Sequence, residues 1–156
     1  MGEDSVNRAL SRFLSKYKFA GPPYPTSFDF LKELKKSCPD SLKYLITDLF
    51  ETVTIFSNEA KKAEFRKLPN GKFDVTLYLE ATKIKTDSLG NKTNVLLNDY
   101  IEVGVLDKNK NPIFITMHKF TKSAESLRFT VDKEPFFGAI DPRHLLIDKI
   151  WRDNIK

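Results

Sequence analysis

The hydrophobic period of this chain changes once, and that change limits what it can fold into. Up to about residue 52 the apolar residues recur at helical spacing; beyond about residue 58 they alternate. Three helices fit the first part. Val6, Leu10, Phe13, Leu14 and Tyr17 lie on one stripe, and Gly21-Pro22-Pro23 predicts an end near Phe19 by removing donors and fixing φ. Thr26, with Asp29 three residues on, reads as the N-cap of a second helix that buries Phe28, Leu31 and Leu34. Pro39 opens a third, in which Leu42, Leu45, Ile46, Leu49, Phe50 and Val53 give the cleanest amphipathic pattern in the chain.

Thr52-Val53-Thr54-Ile55 is β-branched throughout, so extended structure is expected to begin there. Phe73 to Thr82 alternates strictly, with Val75, Leu77, Leu79 and Ala81 on one side, the pattern of a half-buried antiparallel strand. Ile84 falls on the wrong parity, which predicts a bulge or a change of sheet. Pro69-Asn70-Gly71, Asp87 to Asn91 and Asp107 to Pro112 read as turns between further strands. These strands are centred on Ile101 to Val105, Ile113 to Met117, Leu127 to Val131 and Phe136 to Ile140. The expected fold is α+β: a helical segment over 1–57, then an antiparallel immunoglobulin-like β-sandwich over 58–156, with a closed barrel as the alternative.

Composition removes several function classes. With 40% hydrophobic residues and thirteen Phe, the chain can fill a core. One cysteine, Cys38, excludes an internal disulfide or a multi-cysteine metal site. The net charge of +5 comes with Glu and Asp interleaved among the Lys, as in Lys61-Lys62 with Glu64 before Arg66-Lys67, which reads as solvated surface. No apolar run reaches the length of a membrane span.

Reactive groupings are few. The two histidines, His118 and His144, lie far apart and neither starts an H-E-x-x-H motif, in which two imidazoles one helical turn apart meet one zinc. Cys38, just before Pro39, reads as a small residue filling a niche, although a helix start can lower a thiol pKa. No G-x-S-x-G and no phosphate-cradling glycine loop occurs. Asp141 and Asp148 flank Pro142-Arg143-His144-Leu145-Leu146-Ile147, where a carboxylate before proline is expected to bond a turn. Tyr78, with Lys83 and Lys85 beyond it, is the nearest approach to an aromatic–basic surface for single strands, weakened by Glu80. Asn91-Lys92-Thr93 is a glycosylation sequon on a turn.

The stretch Asn7-Arg8-Ala9-Leu10 through Phe19, with Pro23-Tyr24-Pro25-Thr26-Ser27, resembles the late helical part of zinc aminopeptidases of the aminopeptidase-N (gluzincin) type. Asp40-Ser41-Leu42-Lys43-Tyr44-Leu45-Ile46 and Asp48-Leu49-Phe50-Glu51-Thr52-Val53-Thr54 carry the same likeness. Leu68 to Thr76, Asp99 to Val105 and Ile140 to Asp148 are similar to the tail of a branch fused to an ABC-transporter permease in bacteria. The resemblance implies that zinc and its glutamate base lie in a missing N-terminal catalytic domain, with no residue here corresponding to them.

The expectation is therefore a non-catalytic C-terminal piece of a membrane-associated zinc aminopeptidase-like protein, acting as a structural or interaction module. No catalytic, cofactor-binding or metal-binding residue is assigned, and zinc is expected only in the parent. The expected partners are the missing N-terminal part of the parent chain and other proteins, with no nucleic acid and no direct membrane insertion. A soluble fragment of a bacterial cell-membrane protein on the extracytoplasmic side is the expected setting. The alternatives are a free-standing sandwich that binds a glycan or anionic polymer, and a small enzyme that uses carboxylates alone.

Overall fold

The helical period gives way at the β-branched run: helix ends at Glu51 and the first strand begins at Val53. A computed structural model describes residues Met1–Lys156. It divides them into two units, Met1–Val53 and Thr54–Lys156, placing the boundary a few residues before the expected one at Ser57. The strand takes in the run from Val53 because β-branched side chains lose least freedom in extended backbone.

In the first unit, α1 spans Glu3–Tyr17 and α2 spans Ser27–Ser37. Thr26 closes onto Asp29 as the sequence predicts, its amide donating to the carboxylate at 2.9 Å and its hydroxyl lying 3.0 Å away. The third helix is irregular. A 3₁₀ turn, Asp40–Leu42, leads into a single α-helical turn, α3 (Lys43–Ile46), and a π-helical turn, Thr47–Glu51, follows. The i→i+5 bonding there, with Thr52 N–H donating to the Thr47 carbonyl at 2.9 Å, inserts an extra residue per turn. The expected stripe is thereby thrown out of phase, and Leu49 and Phe50 emerge exposed.

Two more expectations for this unit are corrected. Phe28 is 72% exposed, while Glu33 is buried beside Leu31 and Leu34. Burial of Glu33 is made tolerable by Arg12, whose Nε lies 3.2 Å from its carboxylate, and by Lys36 at 2.7 Å. On α1 the fully buried residue is Ala9, with Leu10 and Leu14 facing out.

The second unit is an antiparallel β-sandwich. β1 (Val53–Lys67) and β2 (Phe73–Thr86) pair along one edge of β2. β3 (Lys92–Val95) and β6 (Ala124–Val131) share the rest of β2, at residues 83–86 and 73–80 respectively. β4 (Asp99–Leu106), β5 (Pro112–Phe120) and β7 (Phe137–Ile140) form the second sheet in the order β5-β4-β7. The two sheets remain separate, so the barrel alternative is not realised.

Val75, Leu77, Leu79 and Ala81 of β2 meet Ile101, Val103 and Val105 of β4 across the core, joined by Phe56, Phe120, Val131 and Ile140. Each such side chain contributes roughly 1.5–3 kcal/mol through burial. At Gly138 the sheets approach so closely that a Cβ would lie 2.3 Å from Leu77 Cδ2 and 2.9 Å from Ala63 Cβ. Gly71, at φ 83°, makes the tight turn between β1 and β2.

Of the bulge or change of sheet expected at Ile84, neither is seen along this edge: β2 stays in one sheet and in register with β3 from Lys83 to Thr86, where β3 replaces β6 as its neighbour. The alternation simply continues, and Lys83 takes the inward place. It can do so because Asp99, equally buried, receives its ammonium at 2.8 Å.

Candidate functional site

The stretch after β7 holds the densest set of specific contacts in the sandwich unit. Asp141 leaves the strand at φ 44°, a left-handed conformation that Asp tolerates better than most residues. Its amide donates to the Glu102 carbonyl at 2.7 Å, and its carbonyl accepts from the His144 amide at 3.0 Å. Its fully buried carboxylate accepts the amides of Leu145 at 2.8 Å and Leu146 at 3.1 Å. Burial pushes this carboxyl above its ordinary pKa, opposed by the two amides and by His144. Arg143 folds back over the sheet, its guanidinium gripping both oxygens of buried Glu102 from Nε at 2.9 and 3.1 Å and from Nη2.

The chain then ties the two sheets together. The Phe56 amide donates to the Ile147 carbonyl at 2.8 Å, and the Lys149 amide to the Phe56 carbonyl at 2.9 Å. Asp148 accepts the amides of Asn58 at 3.2 Å and Ile150 at 3.0 Å. Farther on, the Ile140 amide donates to the Asn154 carbonyl, and Gly138 and Lys156 exchange a pair of bonds, all at 2.9 Å. One segment therefore pairs with β1, at the margin of the first sheet, and with β7, at the margin of the second, covering edges that would otherwise offer unpaired amides.

The outward side of this segment carries an open groove of about 590 Å³ lined by His144, Leu146, Ile147, Asp148 and Trp151. The His144 and Trp151 rings meet edge-on, 5.3 Å apart. Asp141 and Asp148 thus come into one loop, and both spend their oxygens on backbone amides. Turn bonding at Asp141, expected from the sequence, is what the geometry displays, and the pair serves to hold the loop's shape.

The remaining candidates go elsewhere. His118 sits on β5 with Nε2 2.8 Å from Glu125, whose other oxygen accepts the amides of Thr121 at 2.9 Å and Lys122 at 3.1 Å. Burial raises the Glu125 pKa, but His118 and the two amides outweigh it and hold the carboxyl below its ordinary range. Cys38 is a buried free thiol in the helical unit. No group of three or more His, Cys, Asp or Glu side chains is arranged to hold a metal ion.

Tyr78 does not form the aromatic–basic surface considered above. Lys83 points inward to Asp99, while the Tyr78 hydroxyl lies 3.3 Å from Glu64 and Lys62 lies over its ring. Lys61 is shared by Glu59 and Glu80, and Arg66 and Arg128 both meet Asp74. The basic residues of this face are compensated where they stand.

Sequence reasoning missed the buried pair Lys83–Asp99 and the buried Glu102 with its exposed partner Arg143. A parity count of β2 carried two residues past Ala81 would have put Lys83 inside. Nothing local marks Glu102, whose partner is 41 residues away.

No protein-family model matches the chain, and a search of curated proteins finds no match either. Neither comparison links it to zinc aminopeptidases or to transporter permeases.

Proposed function

We propose that this chain is a non-catalytic interaction module, the C-terminal part of a larger membrane-associated protein of the aminopeptidase-N type. In this reading the helical unit completes the wall of the parent's helical domain, the sandwich braces it, and zinc chemistry belongs to the part that precedes it. Its partners are that preceding part and other proteins, and its setting is the extracytoplasmic side of a bacterial membrane. No helix of the chain is long and apolar enough to cross a membrane.

The observation that carries the reading is the helical unit's unburied apolar surface. Leu10, Leu14, Phe28, Leu49 and Phe50 are all exposed, although the unit buries only Ala9, Leu31, Leu34, Cys38 and Ile46. A unit that exposes more large apolar side chains than it buries behaves like part of a larger core.

The purified chain should carry no stoichiometric zinc and should not hydrolyse an aminoacyl-amide reporter. Chelator-sensitive turnover would refute the reading. The reading frame upstream of Met1 should encode H-E-x-x-H and membrane spans.

A further inference from the structure

The outer surface of the C-terminal turn is assigned to nothing so far. Leu145, Ile147, Ile150 and Trp151 crowd into a short stretch and are 55, 63, 51 and 53% exposed. Two exposed cations stand among them: Lys149, between Ile147 and Ile150, and Arg152, which lies over the Trp151 ring 5.3 Å from its centroid. The one acid of the stretch, Asp148, has both oxygens on backbone amides. Apolar side chains and cations are therefore both exposed on this turn, with Asp153, beside Arg152, half-buried.

We propose that the turn Leu145–Arg152 is a peripheral membrane-contact surface that docks on anionic phospholipid. Leu145, Ile147, Ile150 and Trp151 enter the head-group boundary, while Lys149 and Arg152 meet the lipid's negative charge. Three features favour a lipid surface. The first is chemical: an anionic surface with an apolar interior just beneath it satisfies the apolar and the basic side chains at once. The second is that the tryptophan carries an indole N–H on an apolar body, the amphipathic form suited to the head-group level. The third is rigidity. The loop is held by Asp141, by Asp148, by the Arg143–Glu102 grip and by pairing with Phe56, so docking orders little that was free. This contact lies on the surface and spans nothing, and it does not depend on the parentage proposed above.

Trp151 is the only tryptophan, so its fluorescence reports directly on the turn. The full chain is mixed with vesicles of phosphatidylcholine alone or with about one-third phosphatidylserine. With the anionic vesicles the chain should co-sediment and the Trp151 emission should shift to the blue, both weakening as salt is raised. Reversing the cations, in a double Lys149→Glu and Arg152→Glu variant, should cut partition by about tenfold or more. Leu145→Ser with Ile147→Ser should abolish the blue shift while keeping the reporter. Circular dichroism checks that each variant stays folded, and if one unfolds the other still decides.

Absence of partition at low salt overturns the proposal, and so does binding that survives both variants. Salt-sensitive binding of polyglutamate without vesicle partition would assign the turn to an acidic polymer and overturn it. A concentration-dependent shift without lipid, together with no vesicle partition, would assign the turn to a second copy of the chain and overturn it as well.

Discussion

The helical unit and the sandwich differ in core size and in whether both members of an ion pair lie inside. The sandwich places Lys83–Asp99 and Glu102 inside, among a core of thirteen buried apolar residues. The helical unit has a core of five, and each of its pairs Arg12–Glu33, Lys36–Glu33, Lys35–Glu51 and Lys32–Asp29 keeps an exposed cation, even where the acid, Glu33, is buried. Exposed pairs contribute little, roughly 0–1 kcal/mol each, because water screens them and long side chains lose freedom. A buried pair is different: intact it is nearly neutral, but losing one partner strands a charge. The sandwich has enough apolar burial to accommodate ionic groups. The helical unit has the smaller core, which is why the reading proposed above gives it a neighbour.

The comparison breaks most visibly if the units are separated. Residues 54–156 alone should show one cooperative thermal transition, whereas residues 1–53 alone should melt without one. A cooperative transition in the short piece would sink the contrast. Next in size, Asp99→Ala should cost the sandwich about 3–5 kcal/mol in denaturant titration, because Lys83 is left buried and unpaired. A combined Lys83→Met and Asp99→Leu variant should recover most of that loss. If the single and combined variants are equally unstable, the pair matters for packing and not for charge.

Core truncation sharpens the same point. Leu77→Ala, between the sheets, should cost about 3–4 kcal/mol, whereas Leu34→Ala in the small helical core should cost nearer 2 kcal/mol. Equal losses would mean that the helical core is as tightly packed as the sandwich.

The smallest effect is with acid. The Thr26 amide, then Lys32 and the Thr26 hydroxyl, hold the Asp29 pKa down from 3.8 to about 2. A depressed carboxylate stabilises the fold fully above its unfolded pKa, near 4, and that contribution is lost as pH falls toward 2. Glu33, Glu51 and Asp40 are lowered too, chiefly by Lys36, Lys35 and Lys43. Asp141 goes the other way: raised by burial, it is easier to protonate in the fold, so acid relieves rather than harms it. Asp74, Asp87, Asp107 and Glu125 of the sandwich are lowered as well, so both units lose stability in acid and the larger apolar core decides which outlasts it. Between pH 4 and 2 the helical circular dichroism should fall before the Trp151 fluorescence changes, and Asp29→Asn should flatten part of that fall. Coincident transitions would show that acid does not distinguish the units.

Legibility differed by element, for physical reasons. The turns at Pro69-Asn70-Gly71, Asp87–Asn91 and Asp107–Asn111 could be read because their bonds are local. Asp87 and Asp107 each bond the amides two and four residues on. The capping of α2 by Thr26 and Asp29 was readable for the same reason. The third helix was not, because a π-helical turn costs only one displaced hydrogen bond and leaves no mark on composition. Phe28 and Glu33 were exchanged for a related reason: periodicity ranks residues by hydrophobicity, and the Arg12 that makes Glu33 tolerable inside lies on another helix.

Local order is what the chain dictates by itself: the switch from period 3.6 to period 2 at a β-branched run, the turns, and the inward face of β2. Those follow from steric limits and short-range hydrogen bonds, which act within a few residues. In the C-terminal turn the local bonds of Asp141 to Leu145 and Leu146 follow from the sequence, but where the turn sits was decided by tertiary structure. Its shape depends on Asp141, Arg143 and Asp148 reaching Glu102 and Asn58, across 41 and 90 residues of sequence. Such contacts form only once the sheets have brought distant strands together, and they turn a run of Leu, Ile and Trp toward solvent.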